Sequence, residues 1–104
     1  MRVKWSDHAM IQREIVANYI RDYFGIKHKH RFLQEVRRIT EMLKHSPNLG
    51  HIDPLFVDCA ITYRSVIVQG QSKMVYYVKD DTIRIAAFWD TRQEPEAQAA
   101  KLKE

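Results

Sequence analysis

The hydrophobic period of this sequence changes once, between Ser46 and Pro54, and that change restricts most of the chain to helices first and a sheet second. Upstream, Ile11, Ile15, Tyr19 and Tyr23 recur at four-residue intervals with Val16 and Ile20 beside them, the spacing of one helix face. Phe32, Val36, Ile39 and Leu43 repeat the pattern in a second segment, widened by Leu33 and Met42. Downstream, Cys59–Val68, Lys73–Val78 and Thr82–Trp89 alternate with the period of a strand. The polar breaks Gln69-Gly70-Gln71-Ser72 and Lys79-Asp80-Asp81 suit hairpin turns.

Local signals sharpen this division. Arg2-Val3-Lys4-Trp5 alternates and predicts a short first strand; Ser6 reads as a helix N-cap, with Asp7 complementing the positive end of the helix dipole. Gly25 predicts the end of the first helix, because glycine tolerates the left-handed backbone of a C-cap. A link this short makes the two helices an antiparallel hairpin that buries both stripes. The expected fold is α+β, in the order β-α-α-β-β-β, with the helical hairpin on one face of an antiparallel sheet. Residues 1–104 make a single domain, and 93–104, rich in Ala, Glu, Gln and Lys, form a mobile tail with too little apolar surface to dock firmly.

Seventeen Lys and Arg against thirteen Asp and Glu give a formal charge of +4, which favours an anionic partner. The single cysteine, Cys59, has no internal disulfide partner, suits a reducing compartment and reads as a structural thiol. No apolar run approaches the roughly 20 residues of a membrane span, and Met1-Arg2-Val3-Lys4-Trp5-Ser6 lacks the apolar stretch of a signal peptide. A soluble cytoplasmic protein is expected.

Strand parity predicts the two sheet faces. Ser65, Ile67, Met74, Tyr76, Val78, Ile83, Ile85 and Ala87 fall to the helix-packed side, and Trp89 shares their parity. The other face then holds Arg64, Val66, Val68, Lys73, Val75, Tyr77, Arg84, Ala86 and Phe88, continuing to Asp90 and Arg92. Cations mixed with apolar and aromatic side chains suit recognition, so this face is the expected working surface.

The first strand ending in Trp5-Ser6, the segment Tyr19-Ile20-x-x-Tyr23-Phe24-Gly25, the helix closing on Ser46-Pro47-Asn48-Leu49-Gly50, Tyr63-Arg64-Ser65, Val75-Tyr76 and Phe88-Trp89-Asp90-Thr91-Arg92-Gln93-Glu94-Pro95 follow one another in an order that resembles the RelE/ParE toxins of bacterial type II toxin–antitoxin pairs. The resemblance covers nearly the whole chain and looks closer to the ParE side. It implies a cognate antitoxin whose flexible segment masks a basic groove, with further copies of the chain compatible with that complex. The implied target is DNA gyrase for a ParE-like member, or the ribosome and its messenger RNA for a RelE-like one. A toxin-like partner that serves only in a repressor complex is a third outcome.

The family resemblance also carries site expectations. Arg64, Lys73 and Arg92 match positions where ribonucleolytic members hold cations, and with Arg84 they are the expected partner- or phosphate-binding set. Cleavage through a 2′-hydroxyl needs proton transfer as well as charge. Val66 stands where a second strand cation is expected, and no Tyr or His follows Arg92. A ribonuclease reading would use Arg64, Lys73, Tyr77 and Arg92; a binding toxin is the simpler expectation. Asp90 is expected to orient Arg92. The run Lys27-His28-Lys29-His30-Arg31 lacks the further ligands of a zinc set, so neither a metal nor a cofactor is expected.

Overall fold

In the computed structural model, which describes residues 1–103, the opening alternation forms strand β1 (Arg2–Trp5) and the chain turns at Ser6 into helix α1 (Asp7–Phe24). The Ser6 hydroxyl accepts the Ala9 N–H at 3.0 Å, the N-cap bond expected of it. Gly25 ends α1, donating its N–H to the Arg21 carbonyl at 2.9 Å. Its own carbonyl accepts from Lys29 at 3.2 Å and so opens α2 (Ile26–His45). A single residue at φ 100° joins the two helices, a conformation that L side chains rarely adopt.

Helix α2 buries Phe32, Val36, Ile39 and Leu43, as its periodicity predicts. Helix α1 reverses the expectation. It buries Ala9 and Ala17 and half-buries Val16 and Ile20, while Ile11, Ile15, Tyr19 and Tyr23 face outward at 61, 61, 44 and 71% exposure. Residues two apart lie about 200° apart around a helix, so the Ala9 face and the Ile11 face are nearly opposite. Both are apolar, and the small side chains of Ala9 and Ala17 let α1 come close to its neighbours.

After α2 come β2 (His51–Ile52), a 3-10 turn over Pro54–Phe56, β3 (Arg64–Val68), β4 (Ser72–Lys79), β5 (Thr82–Asp90) and α3 (Pro95–Lys103). The described strands form one sheet in the order β1-β5-β4-β3-β2. Strands β3, β4 and β5 are the antiparallel meander read from the sequence. The β4–β5 turn uses Asp80 and Asp81 at φ 54° and 55°, the left-handed pair that matches strand twist. Strand β1 runs parallel to β5, so the sheet is mixed rather than antiparallel. It covers a β5 edge that would otherwise expose unpaired backbone groups.

Three expectations about the sheet need correction. Residues 57–61 are turn and bend, residues 62 and 63 are irregular, and the strand predicted from Cys59 begins only at Arg64. On β3, the pairs Arg64–Tyr76 and Val66–Met74 put Arg64, Val66 and Val68 on the hairpin side, and Ser65 and Ile67 on the other. On β5, Val75 pairs with Ala87 but Tyr76 pairs with Ile85, so Ala86 is an extra residue and the faces switch beyond it. Phe88 therefore joins the hairpin core, while Ala87 and Trp89 bury themselves on the opposite side.

Helix α1 satisfies the bulge. Ser6 donates its N–H to the Ile85 carbonyl at 2.9 Å and its hydroxyl to the Ala86 carbonyl at 3.3 Å. The Gln12 side-chain oxygen accepts the Phe88 N–H at 2.9 Å. The second face is also not open as expected, because Phe56, Val75, Ala87, Trp89 and Ala99 form a second buried cluster. The tail supplies part of that cover: α3 lays Ala99 and Leu102, three residues apart on one side of the helix, against it.

Candidate functional site

The cations expected on one surface occupy different places. Arg64 lies on the hairpin side and donates from Nη1 to the Gly50 carbonyl at 2.8 Å. The same turn is held by Tyr76, whose hydroxyl accepts the Gly50 N–H at 2.9 Å and donates to the Pro47 carbonyl at 2.7 Å. A Cβ on Gly50 would stand 2.7 Å from the Ser65 carbonyl oxygen and 2.8 Å from the Tyr76 ring, so only glycine lets the backbone approach this closely. Burial pushes the Tyr76 phenol above its ordinary value, against the opposing influence of the Gly50 N–H and Arg64.

Lys73 lies on the opposite face. Its ammonium is 2.5 Å from the carboxylate of the fully buried Asp53 and 5.3 Å from the centre of the Trp89 ring. Asp53 also caps the 3-10 turn by accepting the Leu55 N–H at 3.0 Å. Lys73 thus holds the second layer to the sheet, and its charge is already matched.

Asp90 pairs across the sheet with Ser72 and belongs to the hairpin side, where it grips Arg92. Its carboxylate accepts from Arg92 Nη2 at 2.6 Å, from Nε at 3.0 Å and from the backbone N–H at 2.8 Å. Those hydrogen bonds hold the Asp90 carboxyl below its usual range and raise the guanidinium of Arg92, to which Tyr19 adds a smaller contribution. Arg92 therefore stays beside Asp90 on the hairpin side, away from Lys73.

Arg84 and Tyr77 remain on the second face, as neighbours across β5 and β4. Tyr77 meets Tyr63 edge to face at 5.5 Å, and Arg84 extends Nη2 to within 4.0 Å of Asp80. Burial, followed by the neighbouring Tyr77, pushes the Tyr63 phenol up. Among the described residues, no three His, Cys, Asp or Glu side chains gather as a metal would require.

Chemically, this arrangement grips better than it transfers protons. Arg64, Lys73 and Arg92 each engage a partner within the chain, and the β3–β4 register keeps Arg64 and Lys73 on opposite faces. Two features of the surface escaped the sequence reading. One is the exposed stripe on α1, extended at the hairpin tip by Phe24 and Ile26 at 61 and 51% exposure. Its four-residue spacing is plain in the sequence, but a stripe of that kind reads as core. The other is Lys4 on β1, in register with Arg84 through a parallel pairing that no local pattern announces.

The family model described as "ParE toxin of type II toxin-antitoxin system, parDE" matches residues 3–95. Among solved structures, the chain is similar to one titled "Chromosomal ParDE TA system from P. aeruginosa", with a TM-score of 0.69 and 16% identity over 86% of this chain and 95% of that one. At that identity the likeness shows the α+β fold. No curated protein sequence matches.

Proposed function

We propose, from the premise that this chain belongs to the ParE toxin family of type II toxin–antitoxin systems, that it acts by binding DNA gyrase and is held inactive by a cognate antitoxin. The observation that carries binding over cleavage is the separation of Arg64 from Lys73 on opposite sheet faces, with the charges of Lys73 and Arg92 matched by Asp53 and Asp90. An RNA-cutting centre needs cations and a proton-transfer pair converging on one phosphate. The set Arg64, Lys73, Tyr77 and Arg92 does not converge in this way.

A protein partner suits the rest of the surface. Ile11, Ile15, Tyr19 and Tyr23 present a continuous apolar and aromatic face, and the Tyr19 and Tyr23 rings meet at a tilt with their centres 4.5 Å apart. A stripe of this composition is recognised by a segment that lays apolar side chains along it. We assign that role to the antitoxin, which leaves the basic sheet surfaces and Arg92 for the target. Gyrase and antitoxin together put the working complex in the cytoplasm, and among the described residues no helix is long and apolar enough to cross a membrane.

The test is to induce the chain in cells without an antitoxin and follow DNA-damage signalling and protein synthesis together. The gyrase reading expects damage signalling first, with translation falling later. Early arrest of translation over intact chromosomes would replace it with messenger RNA cleavage, and unimpaired growth would leave a repressor partner without toxicity.

A further inference from the structure

We infer that the part of the second sheet face left open beside β1 is a binding site for a nucleoside phosphate unit, either a free nucleotide or one residue of a single strand. The proposal goes beyond the choice of toxin target and rests on one part of the basic sheet surface that the reading above leaves to that target. Parallel pairing of β1 with β5 places Lys4 directly beside Arg84, and antiparallel pairing places Tyr77 on Arg84's other side. Tyr63 follows, edge to face with Tyr77 at 5.5 Å. The row Lys4, Arg84, Tyr77, Tyr63 therefore crosses the sheet from two cations to two aromatic rings.

These side chains line a cavity of about 360 Å³, to whose walls His8 from the first turn of α1 and Lys101 from α3 also contribute. That volume lies in the range of small-ligand sites. Three full positive charges line it, and no described Asp or Glu does. Arg84 donates from Nε to the Lys79 carbonyl at 3.4 Å and comes within 4.0 Å of Asp80, whose carboxylate is 77% exposed and is not part of the lining. Contrast Lys73, where a half-buried cation on the same face has its own buried carboxylate. Like charges directly opposite on adjacent strands destabilise a sheet, so Lys4 and Arg84 are arranged for an anion that bridges them.

The aromatic half of the row decides which anion. A carboxylate needs only the cations, whereas a base beside its own phosphate needs a flat apolar wall next to them. Aromatic faces beside a positive groove are how single strands and flipped-out bases are held. The phosphate would sit between Lys4, Arg84 and Lys101, with the base against Tyr77 and Tyr63.

Adenosine 5′-monophosphate and a hexathymidylate strand are titrated into the purified full-length chain, with adenosine and a hexaglutamate peptide as controls. Adenosine monophosphate, the hexanucleotide or both should bind and raise the melting temperature, while adenosine and the peptide bind far more weakly. The Lys4→Gln/Arg84→Gln double variant should lose about tenfold or more in affinity. Its melting temperature without ligand should equal or exceed that of the parent, because a repulsion has been removed. Binding of adenosine monophosphate identifies a free nucleotide, and binding of the hexanucleotide alone identifies a strand. The proposal is overturned if neither phosphate compound binds, if the double variant binds them unchanged, or if hexaglutamate binds as well as the phosphate compound that does. A double variant that fails to fold is replaced by Lys4→Gln alone, for which a threefold or smaller effect would count against the site.

Discussion

The Lys73 ammonium lies 2.5 Å from the carboxylate of Asp53, which has no exposed surface. A cation that a phosphate-gripping site would present to solvent is instead turned under the 3-10 turn that covers the sheet. Lys73→Gln should therefore act on stability before function. Removing one partner leaves an uncompensated buried charge, which typically costs about 3–5 kcal/mol. Urea denaturation of the variant should show this loss with an unchanged denaturant slope. A Lys73→Gln protein as stable as the parent would show that the pair is not a structural tie.

Tyr76→Phe should loosen the turn that leads into β2. The substitution strands the Gly50 N–H and the Pro47 carbonyl, each an unsatisfied group worth about 1–3 kcal/mol when buried. It also changes the alkaline limb. The folded phenol titrates above its unfolded value of about 10, so its contribution is fully present below that pH and is lost as pH rises through the folded value. Melting temperature plotted against pH should fall less steeply above about pH 10 in Tyr76→Phe, from a lower starting point.

Arg92→Ala should separate fold from function in the opposite sense to Lys73→Gln. Arg92 is 60% exposed and its ion pair is with Asp90, so thermal unfolding should change little while toxicity falls. The Asp90 carboxyl is held low by Arg92, so its stabilising contribution is present above the unfolded value near about 4 and disappears as pH falls through the folded value. Asp90→Asn should accordingly flatten the acid limb below about pH 4. Full toxicity in Arg92→Ala would remove this residue from the target surface.

Ile15→Asp and Tyr19→Asp should abolish capture by the antitoxin without unfolding the chain. Both side chains face outward, so the fold loses no core contact, but a charge placed in an apolar interface costs about 2 kcal/mol or more in binding. Co-purification and titration with the cognate antitoxin measure it directly. A melting temperature lowered along with binding would mean that the stripe contributes to the fold after all.

Much of this architecture was legible in the residues, and the failures share a cause. The Phe32-Val36-Ile39-Leu43 stripe, the Ser6 cap, the Gly25 stop and the Asp80-Asp81 turn are local signals, each written by neighbours in the chain. Helix α1 misled because it has two apolar sides, and the side made of alanines is the one that packs. The bulge misled because Ala86 and Ala87 are identical and the alternation continues through them without a visible break. For the candidate site, the cations could be named from the sequence but their grouping could not. Asp53 finds Lys73 twenty positions away, and Lys4 finds Arg84 only through the parallel pairing of the first strand with the last.

Gly25 has a mechanical consequence. Because one residue both ends the first helix and begins the second, there is no slack between them to take up a pull. A partner that clasps the Tyr23 end of the first helix draws directly on the second, and through the edge-to-face contact of Phe32 with Phe88 on the last long strand of the sheet. Whatever occupies the outer surface of the hairpin is thus geared to the strand that carries Arg84 and leads to Arg92, and lengthening the joint by a few flexible residues would disengage the two.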